Sequence, residues 1–150
     1  KPIVYATAIS KGFTPASIII DSPIIFKEKD HSFDKWKPVN FEKKFYGPTP
    51  LRKALAHSRN IVTVKLLQKI GTRSVIQMAK NLGIKSRLEN NLSIGLGSSG
   101  VTLQELVSAY SAFANHGIRV ESQGIRYIKN RNGEILFKEN QRKTNLSLAE

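Results

Sequence analysis

At 150 residues the chain can bury a core of its own, and its 40% hydrophobic and 23% charged content is that of a globular protein. The absence of cysteine excludes disulfides and thiolate metal sites, and no apolar run approaches the roughly eighteen residues of a membrane span. The net charge of +13 is concentrated in residues 51–100, where nine Lys/Arg face Glu89 alone; this suits an anionic partner or plain solvent, but no Phe, Trp or Tyr is there to stack single-stranded bases.

In chain order, Ile3 to Ser10 reads as a short apolar helix closed by Lys11 and a C-capping Gly12. Residues 13–50 break into turns and extended pieces with five prolines, and the aromatics Trp36, Phe41, Phe45 and Tyr46 mark this as a functional loop layer rather than a linker. Thr49-Pro50 has the form of an N-cap followed by Pro at the first helical position, with a helix running through Leu51, Leu55 and Ala56. It should stop around His57-Ser58-Arg59-Asn60. Ile61 to Ile70 then resumes as a largely buried helix ending at Gly71. Thr72 is expected to cap a further helix on which Val75, Ile76, Ala79 and Leu82 recur at helical spacing. Beyond the Gly-rich run 95–100, Thr102 and Glu105 form a capping-box pattern, and Leu103, Leu106, Val107, Tyr110 and Phe113 make an apolar helix face. Ile118 to Glu121 and Ile125 to Arg131 are β-like. Asn132-Gly133 predicts a hairpin turn, with Glu134 to Lys138 as the return strand and a polar tail after it. A two-stranded hairpin is marginal alone, so its sheet is expected to be completed elsewhere. The fold class is therefore α+β, mostly helical, with a C-terminal β-hairpin and an incomplete sheet.

Three patterns carry chemistry. Lys1 opens an apolar helix, and the position three residues before it would share its face; a Ser there would stand one turn from a buried lysine able to take its proton. Ser58-Arg59-Asn60 is the one Ser-x-Asn in the chain and falls at a helix junction. It reads either as a proton relay with a substrate-amide contact or as a plain helix cap. Gly95-x-Gly97-x-x-Gly100 matches a dinucleotide fingerprint, but the strand before it is only Leu92 to Ile94 and no βαβ unit surrounds it, so a backbone turn is expected and no cofactor. Ser32-Phe33-Asp34-Lys35 is a literal Ser-x-x-Lys in a charged stretch and is read as chance. His31, His57 and His116 lack metal-ligand spacing, so no metal is expected. Residues 72–92 partly mimic a helix-turn-helix, which makes a DNA-binding module the alternative from another class; Glu89 at its buried position argues against it.

Lys1-Pro-x-x-Tyr5-Ala-x-Ala8, Thr14-Pro15, Asp21-Ser22-Pro23, Phe45-Tyr46-Gly47-Pro48 and Leu51-Arg52-Lys53-Ala54-Leu55 leading into Ser58-x-Asn60 resemble class A penicillin-binding proteins. Leu92-Ser93-Ile94-Gly95-Leu96-Gly97-Ser98 and Ala109-Tyr110-x-x-Phe113-Ala114-Asn115-x-Gly117 do so too, in the same order. The resemblance implies part of a β-lactamase/transpeptidase-like fold, with residues 1–150 an internal piece of the transpeptidase domain of a bifunctional peptidoglycan synthase. It implies a serine D,D-transpeptidase that cross-links peptidoglycan stem peptides, joining a D-Ala-D-Ala donor to an amine acceptor, and that β-lactams acylate. Lys1 would be the general base of Ser-x-x-Lys, and Ser58 and Asn60 the second motif, with Asn60 on the substrate amide. The nucleophilic serine would lie upstream of Lys1 and the Lys-Thr/Ser-Gly motif beyond Glu150, so the piece alone is expected to be inactive. The family also implies a place on the outer face of the bacterial cytoplasmic membrane, a membrane tether outside this chain and no nucleic-acid partner. Self-association through an open sheet edge is expected.

Overall fold

The structure is a computed structural model that describes residues 1–25, 36–140 and the backbone of 143–145. The Ser32–Lys35 motif and His31 lie outside the described residues. Helices α1 (Pro2–Ser10), α2 (Leu51–Ala56), α3 (Asn60–Ile70), α4 (Thr72–Asn81) and α5 (Leu103–Ala114) are joined by strands β1 (Ile18–Asp21), β2 (Gly47–Pro50), β3 (Ile118–Val120), β4 (Tyr127–Lys129), β5 (Ile135–Lys138) and β6 (Lys143–Asn145). The expected α+β mixture forms, with the strands paired in two-stranded sheets. Among the described residues no helix is long and apolar enough to cross a membrane. The chain divides into two compact units, one from Lys1–Met78 and Arg87–Gly100, the other from Ala79–Ser86 and Val101–Ser147.

The first unit is organised around α3, where Ile61, Val62, Val64, Leu66 and Leu67 are fully buried and Ile70 nearly so. Each such side chain contributes about 1.5–3 kcal/mol of burial. Val4, Tyr5 and Ala8 of α1, Ile19 of β1, Leu51 and Ala54 of α2 and Val75 of α4 join Val62, Leu66, Leu67 and Ile70 in one buried cluster. Strands β1 and β2 pair antiparallel, from Ile18 opposite Pro50 to Asp21 opposite Gly47. Their alternation buries Ile19 and Asp21 and leaves Ile18 and Ile20 exposed.

Two expected caps are corrected. Thr49 and Pro50 belong to β2, and α2 begins at Leu51. The first free amides of α2, those of Leu51 and Arg52, donate to the carbonyls of Ser17 and Pro15 at 2.9 Å each, so the preceding chain does what a capping side chain would do. Thr72 is the first residue of α4 and not its cap; its hydroxyl donates to the Asn90 side-chain oxygen. The Gly-rich run is preceded by a 3₁₀ turn (Leu92–Leu96) and no strand. Gly95 is there for packing, since a Cβ on it would stand 3.0 Å from Cδ2 of Leu67. The dinucleotide pattern thus has no strand to carry it, and the helix-turn-helix has no second helix, because 82–91 holds turns and bends only.

In the second unit the capping box forms as read: the Glu105 amide donates to Oγ1 of Thr102 and the Thr102 amide donates to the Glu105 carboxylate. The apolar face read on α5 lies outward. Ala109 and Ala112 are its buried residues, while Leu103, Leu106, Val107, Tyr110 and Phe113 are all exposed by more than a third. Helix α5 packs against β3, and the small residues are the ones it buries. The hairpin β4–β5 forms around Asn132-Gly133, with Gly133 at φ +84°. The polar tail contains a strand unseen in the sequence, β6, antiparallel to β3.

Candidate functional site

The site grows from the way α2 ends. The Ser58 amide donates to the Leu55 carbonyl at 3.0 Å and the Arg59 amide to that of Ala54 at 2.8 Å, the paired bonds of a Schellman C-cap. That motif needs its penultimate residue in the left-handed region, and Ser58 supplies it at φ +54°. The same paired bonds close α1 and α4, where the left-handed residues are Gly12 at φ +90° and Gly83 at φ +97°. An L-residue in this region costs about 1–2 kcal/mol that glycine avoids. Ser58 thus combines a glycine-like backbone conformation with a side-chain hydroxyl.

Lys1, just before α1, meets this turn. Its Nζ donates to the Ser58 carbonyl and Ser58 Oγ at 2.7 Å each, and to Asn60 Oδ1 at 2.6 Å. Asn60 Nδ2 donates to the Val39 carbonyl at 2.9 Å, so the side-chain oxygen is the atom turned toward the lysine. The structure therefore brings together all three residues singled out by sequence. Three acceptors occupy the three N–H bonds of an ammonium. Burial lowers the pKa of Lys1 from its ordinary value of 10.5. When the amine loses a proton, only Ser58 Oγ among the three partners can reverse and donate to it. The arrangement is one in which a hydroxyl can follow the protonation state of a lysine.

Two supporting residues escaped the sequence reading. Arg59, between Ser58 and Asn60, is only 7% exposed. Its Nη1 donates to Glu42 Oε2 at 2.5 Å, and its Cζ stands 3.5 Å from the centroid of the Tyr46 ring. Thr63 Oγ1 donates to the Arg59 carbonyl at 2.8 Å and accepts from Tyr5 at 3.2 Å, linking α1 to the turn. Burial raises the pKa of Tyr5, with the Thr63 contact opposing the shift, so the phenol stays a donor. Tyr46 is visible among the aromatics of the loop layer, but its pairing with Arg59 requires the loop's path. Among the described residues no group of His, Cys, Asp and Glu could hold a metal ion.

Comparison with known proteins places this geometry in context. The family described as the penicillin-binding protein transpeptidase domain matches residues 1–147. Penicillin-binding protein 1A of Pseudomonas aeruginosa is 40% identical over 142 residues, covering 93% of this chain and 17% of that protein. The crystal structure of penicillin-binding protein 1A from Haemophilus influenzae matches with a TM-score of 0.86 at 31% identity, over 95% of this chain and 21% of that one. PonA1 from Mycobacterium tuberculosis, solved in complex with penicillin V, shares the fold at a TM-score of 0.78 and 22% identity, over 91% of this chain and 39% of that one. The chain thus spans about a fifth or less of the length of its penicillin-binding protein 1A relatives.

Proposed function

The chain belongs to the penicillin-binding protein transpeptidase family, and from that premise we propose that it is part of a serine D,D-transpeptidase domain that cross-links peptidoglycan stem peptides. The observation that carries the reading is the convergence of Lys1 Nζ on Ser58 Oγ and Asn60 Oδ1 at 2.7 and 2.6 Å, with Ser58 held in a glycine-like backbone conformation. Residues 1–150 then lie within a single transpeptidase domain of a longer, class A protein. That protein works at the outer face of the bacterial cytoplasmic membrane, with its membrane tether outside this stretch.

In this reading the nucleophilic serine stands one helical turn before Lys1, on the same face. Neutral Lys1 takes its proton as the serine oxygen attacks the penultimate D-Ala carbonyl. The carbon–nitrogen bond breaks, and the departing D-Ala amine receives a proton passed from Lys1 through Ser58 Oγ. An amine on a second stem peptide then attacks the ester. Its proton returns by the same route, and the serine oxygen leaves with a proton restored. Asn60 contacts the donor peptide's amide through its side chain and keeps Lys1 oriented. A β-lactam follows the first half only, its ring amide opening on the serine. Oxyanion donors would come from the third family motif.

The test is acylation of the full-length protein by a fluorescent penicillin, read on a denaturing gel. Labelling that is lost in Lys1→Ala supports the assignment; undiminished labelling of folded Lys1→Ala overturns it. An isolated polypeptide of these 150 residues, which lacks a serine at the required position, is expected to stay unlabelled.

A further inference from the structure

Three consecutive residues at the start of α3 each take a partner from one loop, residues 39–46. Asn60 Nδ2 donates to the Val39 carbonyl at 2.9 Å, the Ile61 amide donates to Asn40 Oδ1 at 3.2 Å, and Arg59 donates to Glu42 at 2.5 Å while lying over Tyr46. The loop is itself anchored. Asn40 is 1% exposed, and its Nδ2 lies 2.9 Å from each carboxylate oxygen of buried Asp21 and 2.8 Å from the Lys44 carbonyl. A surface flap would not be tied this way. The segment is a splint along the start of α3.

Arg59 is where the splint grips the turn. Its amide closes the end of α2 on Ala54, and its carbonyl accepts from the Thr63 amide at 3.2 Å and the Thr63 hydroxyl at 2.8 Å. Its neighbours on either side are Ser58 and Asn60. The guanidinium lies over the Tyr46 ring and donates to the Glu42 carboxylate, while the Arg59 backbone carries the turn between the two side chains. The Arg59 side chain is 8% exposed while that of Glu42 remains 48% exposed, so the arginine is the buried member of the pair.

We propose that Arg59, clamped by Glu42 and Tyr46, is a positioning residue for acyl transfer: it holds the left-handed turn so that Ser58 Oγ and Asn60 Oδ1 both stay on Lys1 Nζ. This rests on the transpeptidase reading above. Lysine at this position keeps the charge but loses the planar stack and the fixed fork, so it restores only part of the effect.

Saturation kinetics of fluorescent-penicillin acylation on the full-length protein separate the noncovalent Kd from the acylation rate constant. Arg59→Ala is expected to lower the rate constant by about tenfold or more, as a small displacement of a proton-transfer group does, with little change in Kd. Arg59→Lys should recover part of the loss, and Glu42→Gln and Tyr46→Leu should fall the same way by smaller factors. A wild-type rate constant in folded Arg59→Ala overturns the inference. Should that variant not fold, the decision passes to Glu42→Gln at its half-exposed site, where a slower rate supports the clamp and an unchanged one overturns it. Lys1→Ala is assayed alongside: persistent acylation there sinks the catalytic reading itself, whereas loss there with normal behaviour at residue 59 sinks only the clamp.

Discussion

Ser58 occupies a backbone conformation that this chain gives to glycine at the ends of α1 and α4, and the two properties it must satisfy can be separated by substitution. Ser58→Gly removes the hydroxyl and relieves the backbone; Ser58→Ala removes the hydroxyl and keeps the strain. Denaturant unfolding should therefore find the glycine variant more stable than the alanine variant by about 1 kcal/mol. Penicillin acylation of the full-length protein should fall in both, by roughly 10²–10⁴-fold, as for loss of a proton-transfer group. Equal stability of the two would show that the turn is not strained. Lys1 makes a second prediction. In the proposed mechanism the active form is the neutral amine, so acylation should climb as pH rises through its pKa. Burial favours that neutral form, which places the climb below the ordinary lysine value of 10.5. The linkage has a matching sign: the unfolded chain holds this proton more tightly, so the destabilisation from burying the ammonium persists at low pH and is relieved as pH rises toward 10.5. A pH–rate profile whose rising limb sits at an ordinary lysine position would contradict the burial argument. Of this site, the sequence shows the motif residues, because Ser-x-Asn at a helix junction and Lys at a helix start are local patterns. It does not show Glu42 and Tyr46 closing on Arg59, since that contact depends on how β2 and α2 bring the 39–46 loop back beside the start of α3.

The second unit is tied at the first turn of α5, where one carboxylate serves two segments. Glu105 accepts from the Lys85 amide at 2.9 Å, from the Ser86 amide at 3.0 Å and its hydroxyl at 2.6 Å, and from the Thr102 amide at 3.0 Å. The Ser86 hydroxyl first, then the amides of Thr102 and Lys85, bring its pKa from 4.5 to about 2. A depressed carboxylate stabilises fully above its unfolded value and loses that contribution as pH falls from 4.5 toward 2. Thermal melting across that range should show an acid-dependent fall that Glu105→Gln flattens, with Glu105→Ala melting lower at neutral pH; an unaltered acid slope in Glu105→Gln would exclude the carboxylate as its source. This element shows what sequence pattern can and cannot deliver. The capping box is legible because its partners are three residues apart. The orientation of the α5 face is not legible, because periodicity reports which residues share a side and not which side is covered; Ala109 and Ala112 are the ones buried. Strand β2 hides behind two prolines, tolerated at an edge where a missing amide costs no ladder bond, and β6 is three residues long and polar.

Across the whole molecule the balance between charge and exposed apolar surface sets how isolated copies of these 150 residues should behave. Val107 is 60% exposed, Tyr110 44%, and every residue of β5 is exposed, including Leu136 at 67% and Phe137 at 46%. Apolar stripes on a helix and a short two-stranded ribbon favour association, both by burial and by strand addition. The net charge of +13 opposes it. Repulsion between copies is long-ranged and is screened beyond about 10 Å at 0.1 M salt, whereas apolar contact is not weakened by salt. Association should therefore strengthen as salt increases, with sedimentation at low salt giving mostly single chains and at about 0.5 M salt a concentration-dependent heavier species. Replacing Val107 and Leu136 with Lys should suppress that species at all salt concentrations without lowering the melting temperature, because neither side chain is buried in the core. A particle that stays monomeric at high concentration and high salt would show that these faces do not drive self-association.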